Sequence, residues 1–162
     1  MADYPSEGQV RVDYVATIAV PTAPDVSSEL STAVPLSGQL IPTGWSPAVT
    51  ENEVVTTSLL STYITSVPGT RGGPVELTLK KVDVPASDTV YNLLKTGPSG
   101  NIVTRDAQGG AAAAYSAAQT VDVFPGKFGI PQMDPTSENT PRTYKVKFYP
   151  STAPSIAVAT VA

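Results

Sequence analysis

The chain contains no cysteine and no histidine, and a single tryptophan. Without cysteine there is no disulfide framework and no thiolate chemistry. Without histidine, the commonest general acid–base at neutral pH and the commonest transition-metal ligand are both missing. Catalysis would have to rest on Asp, Glu, Lys, Ser or Tyr, and no enzyme activity, cofactor or metal is expected. Long apolar runs are missing too: none approaches the roughly 20 residues that a membrane helix needs. The opening "MADYPSEGQVRVD" carries acids and a proline but no apolar core of a secretory signal, so a soluble, cytoplasmic chain is expected.

What is present points to β-structure. The 162 residues suit one domain, 1–162, with its own core. Sixteen prolines and 12 glycines punctuate the chain too often for long helices, and short Val- and Thr-rich alternating runs recur between them. The net charge of −4 is unevenly spread. Residues 1–70 carry seven acids against Arg11 alone, a balance of −6, whereas residues 71–162 carry nine bases against seven acids, +2. That is not the basic footprint of a nucleic-acid reader. It is either ordinary surface scatter or the mark of a subunit whose acidic and basic sides meet head to tail.

In "QVRVDYVATIAV" (9–20), Val10, Val12, Tyr14, Ala16, Ile18 and Val20 fall on one face, which predicts a half-buried strand ended by Pro21. The proline-rich stretch after it reads as a connector with one short helical turn around Ser27–Leu30. "TENEVVTTSLLSTYITS" has strand-like composition and leads, as an extended arm, into a long loop that closes at "PGTRGGP". Trp45, ahead of it, suits a core anchor and an interface anchor equally. "VELTLKKVDV" (75–84) alternates, slips phase at Lys80–Lys81 and resumes, which predicts a strand with a bulge. One helix is expected at about 88–96: Ser87 or Asp88 can cap it, Val90, Leu93 and Leu94 form its apolar stripe, and Gly97-Pro98 ends it. Strands are expected again at 101–105, 120–129, 142–150 and in "SIAVATVA".

Two stretches imitate phosphate loops. In "KTGPSG", Lys95-Thr96 lies where the helix ends, at the negative end of its dipole, and a strand follows; a phosphate loop needs the reverse order. "PGTRGGP" (68–74) has no Lys-Ser/Thr and leads into a strand, so it reads as a flexible hinge. Glu51 and Glu53 share a face of extended chain, but no apolar pocket is evident to split their acidities, so they read as a solvated or interface strip. Lys80, Lys81, Lys145 and Lys147 read as solvent-facing positions of alternating strands.

The order of these pieces resembles the major tail protein, or tail tube protein, of long-tailed (siphovirus-type) bacteriophages, especially those of actinobacteria. The resemblance is carried by "PTAPDVSSELSTAVPLSGQL", "VTENEVVTTSLLSTYITSVPGTRGGPVELTLKK", "DTVYNLLKTGPSGNIVTRD", "AAQTVDVFPGKFG" and "PTSENTPRTYKVKFYPS", over most of residues 10–150. It implies a mainly β, sandwich- or barrel-like fold with one flanking helix. It further implies six-membered rings stacked into a tube, in the virion tail, assembled in the host bacterial cytoplasm. The implied partners are copies of itself, the tape-measure, tail-tip and tail-terminator proteins, and DNA that passes without specific binding; no membrane is involved. An N-terminal arm (1–9), a long loop (about 42–74) and a C-terminal arm (about 151–162) become the expected contact elements, with Trp45, Glu51, Glu53, Tyr63 and Arg71 as assembly-loop candidates. A lumen that passes DNA is expected to repel phosphate, which suits a net acidic subunit. Glu76, Asp83 and Asp122 are the lumen-facing candidates, and Lys145 and Lys147 fit more naturally against a neighbour's acids. The alternative is an immunoglobulin-like β-sandwich binding module of a phage or bacterial surface, although the lone helix and long loop are unusual for it.

Overall fold

The computed structural model describes residues 8–47, 50–57, 62–63, 66–136 and 138–162. The expected N-terminal arm lies outside them up to residue 7. Eleven strands and one α-helix follow one another: β1 (Val10–Val15), β2 (Val34–Pro35), β3 (Leu40–Trp45), β4 (Thr50–Val55), β5 (Ser66–Gly72), β6 (Val75–Lys80), α1 (Thr89–Leu94), β7 (Ser99–Asp106), β8 (Thr120–Phe128), β9 (Gln132–Met133), β10 (Thr143–Pro150) and β11 (Ser155–Ala159). Nine strands form one antiparallel sheet in the order β2-β1-β7-β8-β10-β6-β3, with β9 beside β10 and β11 beside β8. β4 and β5 form a separate hairpin. The chain is mainly β, as its composition predicts.

The sheet curls until its ends nearly meet. Leu36, just after β2, donates its amide to Val12 of β1 at 2.9 Å, while Gln39, three residues on, accepts from Lys80 of β6 at 2.7 Å. One short turn thus bridges the two ends of the strand order. The enclosed side holds the larger core, with Val12 and Tyr14 of β1, Ile102 of β7, Phe124 and Phe128 of β8, Leu77 and Leu79 of β6, and Tyr144, Val146 and Phe148 of β10. Each of these side chains contributes roughly 1.5–3 kcal/mol by leaving water. β1, β7 and β8 also bury their other face, where Val15, Val103, Val121 and Val123 pack against Ile18, Leu30, Tyr115 and Val158. β6 and β10 do not: their alternate positions Glu76, Lys80, Lys145 and Lys147 face solvent.

Local chemistry sets the boundaries. Asp88 caps α1 through Tyr91 N–H, Val90 and Leu94 enter the core, and Gly97, at φ +61°, closes the turn. The ring of Tyr91 meets Tyr144 edge-on at 5.1 Å, which pins the helix against β10. β8 changes partner midway, from β11 at Thr120–Val123 to β10 at Gly126–Phe128. Pro125 stands at the change, where an amide would face a gap, and its carbonyl accepts from Ser151 at 2.9 Å. At Gly126 a Cβ would collide with the Tyr149 carbonyl and lie 2.6 Å from the Phe148 ring. Gly126→Ala should therefore cost about 1–3 kcal/mol by overpacking, read as a lowered thermal midpoint.

Three expectations need correction. The first strand stops at Val15, not Val20, because Glu29 takes the Ala19 and Asp25 amides (2.6 and 2.9 Å) and draws the chain off the sheet; Val20 is exposed. β6 ends at Lys80 without resuming, since Lys81 and Val82 turn to Asp88, and Val84 is exposed. "PGTRGG" is not a loop hinge but most of β5, paired residue by residue with β4 across one bulge.

Candidate assembly surfaces

The β4–β5 hairpin leaves the edge of the sheet after Trp45 and returns at Val75. Every residue of β4 is exposed, and in β5 only Gly69 is partly covered. Beyond backbone pairing it is held by Arg71 Nε to Glu51 Oε1 at 2.7 Å and Asn52 Nδ2 to Thr70 Oγ1 at 2.9 Å. An ion pair that exposed contributes at most about 1 kcal/mol. Val54 and Val67 stand opposite each other, each 49% exposed, and Val55 is 61% exposed. A two-stranded ribbon with open apolar faces is marginal alone.

At the hairpin's root lies a cleft of about 600 Å³ between it and β8–β11, with Phe124, Pro154 and Ile156 on its walls and Glu51, Arg71 and Asp122 at its rim. Ile156 is more than half exposed. Asp122 accepts the Ala157 amide at 2.7 Å, so its carboxylate is tied to β11. The last residues run along β8 as β11, and Val161 bridges to Asp25.

The residues singled out from the sequence thus separate. Glu51, Glu53 and Arg71 sit together on the hairpin, and Tyr63, beyond β4, is highly exposed. Trp45 instead packs edge-on against Phe124 at 5.7 Å, with the core behind it. Glu76, Asp83 and Asp122 do not share a face: Glu76 lies on the solvated side of β6, Asp83 in the exposed turn after it, and Asp122 at the cleft. Glu76 is the one beside lysines, 3.4 Å from Lys145 Nζ and opposite Lys147 in register.

One cluster escaped sequence reasoning. Arg105, within the apolar run of β7, is fully buried and donates to the carbonyls of Gly110, Ala113 and Ala114 and to Gln119 Oε1, at 2.7–2.9 Å. Arg11 adds a bond to the Ala113 carbonyl and pairs with buried Asp13 at 2.7 Å. Both guanidiniums lie over the ring of Tyr115, at 4.5 and 5.1 Å. Burial, with the Asp13 carboxylate near by, pushes the Tyr115 hydroxyl well up. The only available signal was an alanine-rich segment, 107–119, with no apolar anchor except Tyr115. Among the described residues no carboxylates converge as a metal site, and no helix is long and apolar enough to cross a membrane.

A family model described as phage tail tube protein matches residues 1–162, the whole chain. The chain belongs to the phage tail tube protein family. That family is one of structural tail components, not of enzymes, and it places the protein in the virion tail. Among solved structures, a chain in the cryo-electron-microscopy structure of the anti-feeding prophage baseplate, six-fold symmetrised, matches with a TM-score of 0.56. The match covers 94% of this chain and 95% of that one at 8% identity. At that identity the likeness is one of fold. No curated protein matches.

Proposed function

We propose that this chain is the repeating subunit of the tail tube of a long-tailed phage. It assembles itself into stacked, hexameric rings around a lumen that conducts DNA. The work is geometric: one contact closes under rotation, a second repeats along the axis, and no bond chemistry is involved. Assembly takes place in the host cytoplasm, with tape-measure, tail-tip and terminator proteins as the tail's other components. The immunoglobulin-like module is not carried forward, because the whole-chain family match is to tail tube proteins.

The observation that carries this reading is the β4–β5 hairpin, ordered as paired strands yet bare on both faces. Copies that cover one another's hairpins bury Val54, Val55 and Val67 and remove an open strand edge. The hairpin's ends, Thr50 and Gly72, are paired, so a short Gly-Ser linker can replace residues 50–72 without moving β3 or β6. The shortened chain should keep its near-ultraviolet circular dichroism and melt within a few degrees of wild type, yet form neither rings nor filaments. Tubes from the shortened chain would remove the hairpin from the assembly; an unfolded product would make it part of the fold instead.

A further inference from the structure

Two apolar surfaces of this chain are left open, and they differ in shape. One is flat. Val54 of β4 stands opposite Val67 of β5, so both valines share one face of the hairpin, and Gly69, two residues on, adds no side chain to it. Side chains alternate along a strand, which puts Glu53 on the other face. Residues 54–70 carry no charge at all. The second surface is concave: the cleft at the hairpin's root, where Phe124 is buried and Ile156 is more than half exposed. Its loop, Pro150-Ser151-Thr152-Ala153-Pro154, is also uncharged. At the rim Arg71 is paired with Glu51, which leaves Asp122 and a balance of −1 among the lining residues.

We infer that the cleft of one subunit receives the Val54–Val67 face of the hairpin of a second copy, with Ile156 and Phe124 as its receiving walls. The inference rests on the tube reading and adds to it which surface covers the hairpin. A chain cannot make this contact with itself. Val54 and Val67 sit about 10 Å further out than Glu51, at 3.4 Å per residue, and the strands between are paired, so the hairpin cannot double back into its own root. Charge selects the face that enters. The Val54–Val67 face brings no carboxylate to the rim, whereas the opposite face would set Glu53 against Asp122. Number selects the occupant. Every copy supplies one hairpin and one cleft, so a run of identical copies fills all of them except at its ends. Hairpin and cleft are different surfaces of one subunit, so the contact is heterologous, the kind that repeats from copy to copy. Valines against isoleucine and phenylalanine also give it the apolar centre that interfaces share.

The chain has no cysteine, so engineered thiols are its only ones and cross-linking tests the contact directly. The single variants are V54C, I156C and, as a control in the exposed turn after β6, V84C; all three positions are about half exposed, so each variant should fold. Proteins are mixed in pairs, left to assemble, treated with a short bismaleimide and run on a denaturing gel, while negative-stain microscopy records tubes. V54C mixed with I156C should give a cross-linked dimer. V54C alone, I156C alone and V54C mixed with V84C should not. A chain carrying both V54C and I156C should give a ladder of ever longer oligomers. No dimer from V54C with I156C overturns the inference, and tubes in that same mixture leave the tube reading standing. A double variant that stops at the dimer overturns it too, because two copies would then exchange hairpins and close. A ladder without hollow tubes upholds the contact and sinks the tube reading instead.

Discussion

Arg105→Met should lower stability by about 3–5 kcal/mol, the cost of breaking a buried charged network by removing one member. For a chain of this size the thermal midpoint should fall by roughly 6–20 °C. The reason is where the guanidinium's bonds go. Residues 107–119 are mostly alanine, glycine, serine and glutamine and bring little apolar surface to hold them on the outer face of β1 and β7. Arg105 supplies what their composition does not, by gathering three carbonyls and Gln119 Oε1 around one planar cation. Methionine fills a similar volume and leaves those acceptors without a donor. It also removes one of the two cations beside the fully buried Asp13. Arg105→Lys should recover little, because three donors on a single nitrogen cannot span the four acceptors. Calorimetry gives the midpoint, and limited proteolysis should find cleavage within 107–119 in the variant before wild type is cut. A loss below 1 kcal/mol would mean that backbone packing alone holds the segment.

The second large effect is expected at Asp88. Its carboxylate is fully buried and accepts from Lys81 Nζ at 2.7 Å and from the Val82 and Tyr91 amides, each at 3.2 Å. Asp88→Ala removes a helix cap, about 1 kcal/mol, and a charge-assisted bond, about 1.5–3 kcal/mol, for a total near 3 kcal/mol. Burial pushes the Asp88 carboxyl up, but the bonds from Lys81, Tyr91 and Val82 outweigh it, and the group ends below the ordinary carboxylate range. A carboxyl lowered on folding contributes stability above its unfolded value, near 3.9, and loses it as pH falls through the lower folded value. The gap between wild type and Asp88→Ala should therefore be full at pH 7 and shrink below about pH 4. A gap that is constant with pH would show that the cap acts through shape and not through charge.

These two residues also show how far the sequence could be read. The helix was legible because a cap, an apolar stripe and a Gly-Pro stop occur together, and β10 was legible because its alternation is clean. Asp88 was visible as a cap, but not as Lys81's partner, since that bond depends on β6 ending at Lys80 and not on any local pattern. Arg105 reads in "NIVTR" as the charged end of a strand; only the 107–119 segment folded across it makes it a core residue. Pro68, Gly69, Gly72 and Gly73 disguised β5 as a loop, because glycine and proline are turn signals unless a partner strand overrides them. The solvated side of β6 and β10 was half legible: alternation put Lys145 and Lys147 on one side, but only strand register adds Lys80 and Lys127 to the same side.

The central claim is that the subunits build a hollow tube, and cryo-electron microscopy of the purified chain, dilute and concentrated, tests it most directly. The account predicts stacked rings or filaments with a continuous central channel and with the β4–β5 hairpin buried between subunits. Solid fibres without a channel, or a monomer at every concentration with its hairpin still bare, would contradict it.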